Sequence, residues 1–210
     1  MGEPNLELLR FLINEFGVQT FVETGSGHGA TALKAIEIFP VVHTVELSKE
    51  LYAETKSKLR GRAFCHHGKS VDVLDEILPG IDGPAAYWLD AHWSGGPTAG
   101  VDEQCPLLGE LDAINRRKGN RDFLLIDDAH VFFSPAALKP PHILDHWPGL
   151  MGIFARLDQK PRYTVILASW RCAKHGHPGG IVMPEDVIVS VPAHAAESLR
   201  DWLTGLELEH

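Results

Sequence analysis

The sequence is poor in the features that mark a secreted, membrane-spanning or nucleic-acid-binding chain. Its 210 residues include three cysteines, Cys65, Cys105 and Cys172, odd in number and widely separated. That speaks against a disulfide framework and for a reducing compartment. Basic charge is short: 19 Lys and Arg against 28 Asp and Glu leave a net charge of -9. Neutralising phosphates needs clustered Lys and Arg, so nucleic acid is not the expected partner, and Arg116-Arg117-Lys118 reads as a solvated basic turn at a helix end. The N-terminal MGEPNLELLRFL carries an acid early and no long apolar run, which predicts neither a signal peptide nor a membrane span and a cytoplasmic location. Leu208-Glu209-His210 look like the stub of an expression tag, which leaves 1–207 as one expected domain. A chain of this length buries roughly 70% of its unfolded surface, enough for a single core.

Glycine, by contrast, is concentrated where chemistry would use it. The stretch Val18–Ala30, VQTFVETGSGHGA, reads as a buried strand ending in Glu23, then Gly25, Gly27 and Gly29 alternating, then the start of a helix. Without a Cβ, such a turn takes backbone angles closed to other residues and lets a ligand approach the main chain just ahead of a helix.

Around this turn the chain alternates apolar runs with helical periods. Leu6, Leu9, Ile13 and Phe16 recur at helical spacing and Gly17 sits at the C-cap. Thr31–Phe39 is a helix closed by Pro40, and Val41–Glu46 a second strand ending in an acid. Ser48 and Ser70 are placed to cap the next two helices, with a third strand over Ala63–His67 between them. Ala85–Asp90 and Phe123–Asp127 are the fourth and fifth strands, separated by a polar loop and a helix opened by Pro106. Val165–Ala168 and Val187–Val191 read as a long antiparallel hairpin, followed by a closing helix over Ala193–Leu203. Strands alternating with helices imply a parallel sheet wound on both faces, with ligands at the C-terminal strand ends.

The glycine turn behind Glu23, Glu46 ending the second strand, LDAHWSGG after the fourth, LLIDDAH after the fifth and the terminal hairpin together resemble the class I S-adenosylmethionine-dependent methyltransferases. The resemblance covers nearly the whole chain and implies an α/β, single-domain, Rossmann-like doubly wound sheet with a C-terminal β-hairpin. Asp90 with Asp127-Asp128 is similar to the metal-dependent O-methyltransferases of the catechol and macrocin types. By that resemblance Gly25, Gly27 and Gly29, with Thr24 and Ser26, line the methionine part of S-adenosyl-L-methionine. Glu23 faces it, Glu46 binds the ribose hydroxyls, and Asp90 completes the cofactor set. Ser70 is either an adenine contact or simply a helix cap.

Asp90, Asp127 and Asp128 form the expected Mg²⁺ site, since hard oxygen ligands suit that ion. It would activate an acceptor hydroxyl on a small molecule. Asp90, His92 and His130 are the candidate catalytic groups. Two rivals stay open. Gly25-x-Gly27-x-x-Ala30 also fits the dinucleotide fingerprint of an NAD-dependent oxidoreductase, although Glu23 beside a pyrophosphate would be repulsive. A non-catalytic cofactor-binding protein is the other. Cys172, His175 and His177 offer too few ligands for a zinc centre, and the loop Trp93–Cys105 is a candidate substrate lid. Neither the acceptor nor the oligomeric state is written in the residues.

Overall fold

Seven strands form in the computed structural model, which describes residues 4–93, 99–133, 138, 141–171 and 181–207. They are β1 (Thr20–Thr24), β2 (Val41–Glu46), β3 (Phe64–His67), β4 (Ala85–Leu89), β5 (Phe123–Ile126), β6 (Arg162–Arg171) and β7 (Ile181–Pro192). The helices are α1 (Leu6–Phe16), α2 (Ala30–Ala35), α3 (Lys49–Leu59), α4 (Ser70–Ile77), α5 (Leu107–Asn115), α6 (Ala129–Phe133), α7 (Leu150–Leu157) and α8 (Ala196–Glu207).

The strands lie in one sheet of order β3-β2-β1-β4-β5-β7-β6. β1 to β5 are parallel, and β7 enters antiparallel between β5 and β6, so the expected terminal hairpin forms the sheet's far edge. Every residue of β1 and of β4 is buried, as parallel strands covered on both faces require. Neighbouring residues serve opposite layers. Val22, Tyr87, Leu124 and Ile126 pack with Leu74, Leu111 and Ile153, while Phe21, Trp88, Phe123 and Leu125 pack with Leu9, Leu12 and Leu199.

Local chemistry sets the element ends. The Asn5 side chain accepts from the amides of Glu7 and Leu8 at the start of α1, and Gly17, left-handed at φ 64°, closes it. Ser48 caps α3 by accepting from the Leu51 amide. Ser70 does not cap: Lys69 is the boundary residue, and Ser70 is already inside the first turn of α4. The last helix begins three residues later than its sequence suggests, at Ala196.

Arg117 overturns its reading as part of a solvated turn. It is buried, paired with Asp122, and donates to the Tyr87 hydroxyl at 2.6 Å and to the carbonyls of Ile81 at 2.7 Å and Gly83 at 3.2 Å. A buried guanidinium persists only when its donors are met in this way, and here it ties the end of α5 to the loop before β4. Cys65 and Cys105 are free; Cys172, His175 and His177 lie outside the described residues. Among the described residues, no helix is long and apolar enough to cross a membrane.

Candidate active site

The glycine turn sits over the C-terminal end of the sheet because β1 stops at Thr24 and the chain must clear β4. A Cβ on Gly25 would lie 2.2 Å from the Asp90 carbonyl oxygen. That glycine is therefore demanded by the neighbouring backbone, where the sequence suggested only ligand approach. The turn's amides are largely committed. Gly25 and Ser26 donate to the Val45 carbonyl at 2.9 and 3.0 Å, Gly29 donates to the Ser26 carbonyl at 2.7 Å, and Gly27 donates to Glu46 Oε2 at 2.8 Å. The other Glu46 oxygen accepts from the Ser48 amide at 2.8 Å.

A cavity of about 620 Å³ runs along this turn, within the range of small-molecule sites. Gly25, Gly27, Glu46, Ser70, Asp90 and His92 line it. Glu23 does not. Its side chain turns into the layer on the other side of the sheet, where it accepts from the Thr44 hydroxyl at 2.5 Å, and burial pushes its carboxyl up to about 7. Thr24 and Ser26 are buried beside the cavity rather than on its wall.

Three buried acids escaped the sequence reading, Glu110, Asp122 and Asp186. Glu110, in the first turn of α5, is only 1% exposed, and burial pushes it up to about 7 against the pull of the Ser70 and Thr24 hydroxyls. An acid that early in a helix ordinarily faces solvent and favours the helix dipole, but three residues after Leu107 and four before Ile114 it falls on the apolar face of α5, and that spacing is the signal that could have found it.

The acid cluster forms, with one change of membership. His92 Nε2 lies 3.2 Å from Asp90 Oδ1 and 2.9 Å from Asp128 Oδ2. These three offer ligand atoms within 4.8 Å of one another, as do Asp128, His130 and Asp186. Asp127 belongs to neither set among the described residues; it is fully buried, and burial and Asp128 push it up to about 6. Burial and Asp127 raise Asp90 well above the usual carboxylate range. His92 is pushed up to about 9, because Asp128 and Asp90 together outweigh the desolvation that opposes its charge. The imidazolium can thus offset the neighbouring carboxylates, so the cluster does not by itself require a metal ion.

The donor set also fits a cation. Neighbouring ligands around one ion, at bond lengths near 2.1 Å, lie roughly 3 Å apart, as the His92 contacts do. Asp128 presents this face from a left-handed backbone at φ 53°, uncommon outside glycine.

The loop after β4 lines the cavity with Asp90 and His92 and is then anchored at Trp93. Trp93 is buried, its amide donates to the Gln104 carbonyl at 2.6 Å, and its ring meets His142 edge-on. Gln104 Oε1 in turn accepts from the Ile143 amide at 2.7 Å and the Trp147 indole at 3.1 Å. Beyond that anchor, Gly100 to Glu103 form an outer wall of the cavity, and Glu103 pairs with Lys69 at 3.2 Å. Residues 94–98 of the expected lid lie outside the described residues.

No family model and no curated protein matches the chain. Solved structures match it in fold. An O-methyltransferase from Bacillus cereus, in complex with S-adenosylhomocysteine, superimposes with a TM-score of 0.59 at 16% identity, over 89% of this chain and 79% of that one. TomG from Streptomyces achromogenes, an O-methyltransferase of tomaymycin synthesis bound to S-adenosylmethionine, gives 0.57 at 14% identity over 89% and 78%. CalS10, an amino pentose methyltransferase from Micromonospora echinaspora with S-adenosylmethionine bound, gives 0.50 at 11% identity over 88% of each chain. The chain has the fold of the class I S-adenosylmethionine-dependent methyltransferases.

Proposed function

We propose that the protein is a methyltransferase that uses S-adenosyl-L-methionine to methylate a hydroxyl of a small molecule, assisted by a divalent cation. The observation that carries the cofactor choice is the hydrogen bonding of the glycine turn. A dinucleotide's pyrophosphate is cradled by free amides at this position, whereas here Gly25, Ser26 and Gly27 donate to β2 and the Glu46 carboxylate stands beside them. That arrangement repels phosphate and suits a cofactor with a cationic amino acid part and a ribose.

Glu46 would accept the ribose hydroxyls on lone pairs left over from its two amide bonds. Asp90, Asp128 and His92 would hold the cation, in place of the three aspartates expected from the sequence. A site with an imidazole ligand suits Mn²⁺ or Zn²⁺ better than Mg²⁺. When bound, the cofactor supplies a methyl on a sulfonium centre and the cation lowers the pKa of the acceptor hydroxyl. That methyl would pass to the acceptor oxygen, the carbon–sulfur electron pair remaining on the departing thioether. The hydroxyl proton leaves to Asp90 or His130. His92 is unsuited to that task, because Asp128 and Asp90 push its pKa up to about 9 against the desolvation of burial.

Melting the protein with S-adenosylmethionine, NAD, Mg²⁺ and Mn²⁺ separately tests this reading, because a ligand at 100 times its dissociation constant adds roughly 2.7 kcal/mol. Stabilisation by the sulfur cofactor and by Mn²⁺ is the expected pattern. Stabilisation by NAD alone contradicts it.

A further inference from the structure

β7 carries a residue into the site that no local pattern announces. Its antiparallel register with β5 pairs Leu124 with Ser190, Leu125 with Val189 and Ile126 with Ile188. Just beyond that ladder, at the strand ends, Asp186 falls in one cluster with Asp128 and His130. Asp186 is fully buried, and its Oδ1 is 2.8 Å from His130 Nδ1. The same nitrogen is 4.0 Å from Asp128 Oδ1, and the His130 side chain is 41% exposed.

A carboxylate can only accept, so Nδ1 carries the proton of this hydrogen bond. In the neutral ring the lone pair is then on Nε2. A buried carboxylate that fixes one ring nitrogen sets both the tautomer and the orientation of the other, whether that nitrogen meets a metal or a substrate. A staple between α6 and β7 would need no imidazole and no half-exposed ring beside Asp128.

We propose that Asp186 is a positioning residue of the transfer site, holding His130 through Nδ1 so that Nε2 accepts a hydrogen bond from the acceptor's hydroxyl. This rests on the methyl-transfer reading above. It adds a residue from the last strand to the set and gives His130 a defined task in placing the acceptor.

The test is nitrogen NMR of the histidine rings in the full chain, first alone, then loaded with S-adenosylhomocysteine and titrated with catechol as the hydroxyl probe. His130→Asn assigns the signals. Wild type is expected to carry its proton on Nδ1, with the Nε2 signal moving as catechol binds. Asp186→Ala is expected to mix the tautomers and abolish the catechol response, whereas Asp186→Asn, which keeps an acceptor oxygen, restores at least half of it. A structural staple would lower the melting temperature in Asp186→Ala without changing the tautomer. A proton on Nε2 in wild type, an unaltered tautomer in Asp186→Ala, or His130 signals indifferent to catechol overturns the proposal. Failure of S-adenosylhomocysteine to bind sinks the underlying reading instead.

Discussion

Glu46 takes the Gly27 amide on one carboxylate oxygen and the Ser48 amide on the other, each at 2.8 Å, so a single side chain ties the glycine turn to the start of α3. The acid that the resemblance assigns to ribose is therefore also the brace of the turn. Glutamine offers one acceptor oxygen, and its amino group would face one of the two amides. Glu46→Gln is expected to cost ten- to hundredfold in S-adenosylhomocysteine affinity, the size of charge-assisted bonds worth about 1.5–3 kcal/mol, and to lower the melting temperature as well. Calorimetry and thermal denaturation read the two effects separately. Unchanged affinity would place the ribose elsewhere.

Gly25 and Gly17 are both left-handed, at φ 80° and 64°, yet they differ in what surrounds them. A Cβ at Gly17 meets nothing within 4 Å, whereas at Gly25 it meets the Asp90 carbonyl oxygen at 2.2 Å, a backbone atom that cannot rotate away. Gly17→Ala is expected to cost about 1 kcal/mol, the strain of a left-handed alanine. Gly25→Ala should cost clearly more and abolish cofactor binding, because the turn and the end of β4 must part. Urea denaturation of both variants checks this, and equal losses would contradict it.

Glu110 gives the protein a pH dependence with a definite sign. Its folded pKa, about 7, is raised by burial from an ordinary 4.5, so between those values the folded state binds more protons than the unfolded one. Stability from this residue is thus greatest below pH 4.5 and falls as pH rises towards 7, by at most about 1.4 kcal/mol per pH unit. Glu110→Gln mimics the protonated acid. It is expected to match wild type near pH 5 and exceed it at pH 8 in urea denaturation. A wild type that gains on the variant as pH rises would contradict the assignment.

Three acids, Glu23, Glu110 and Asp186, mark how far the residues alone could be read. The strands, their alternation with helices, the left-handed Gly17 and the grouping of acids at the C-terminal strand ends were legible, because each rests on local periodicity or a local cap. Which face a strand-end acid takes was not. β1 is buried on both sides, so its apolar run carries no alternation to say that Glu23 turns away from the cavity. Glu110 reads as an ordinary first-turn acid by type, and only its spacing from Leu107, Leu111 and Ile114 puts it on the buried face of α5. Asp186 joins the site only through the pairing of β7 with β5, about 60 residues away, and sheet pairing at that range leaves no signature in either segment. His92 was legible as a candidate, but its place between two carboxylates was not.

For the cation, the changed ligand set makes separable expectations. Asp128→Asn is expected to abolish Mn²⁺ binding measured by calorimetry, while S-adenosylhomocysteine affinity changes less than about tenfold, or 1.4 kcal/mol. Because His92 is held protonated up to about pH 9, Mn²⁺ entry releases a proton at neutral pH, and Mn²⁺ affinity strengthens as pH rises towards 9. Mn²⁺ binding indifferent to pH between 6 and 9 would remove His92 from the ligand set.

The central claim is that the turn at Gly25 to Gly29 holds a sulfonium nucleoside and not a dinucleotide. Calorimetric titration of the wild-type chain with S-adenosylhomocysteine and, separately, with NAD tests it most directly. The account predicts saturable S-adenosylhomocysteine binding that Glu46→Gln weakens, and no heat from NAD. Saturable NAD binding with no response to S-adenosylhomocysteine would contradict it.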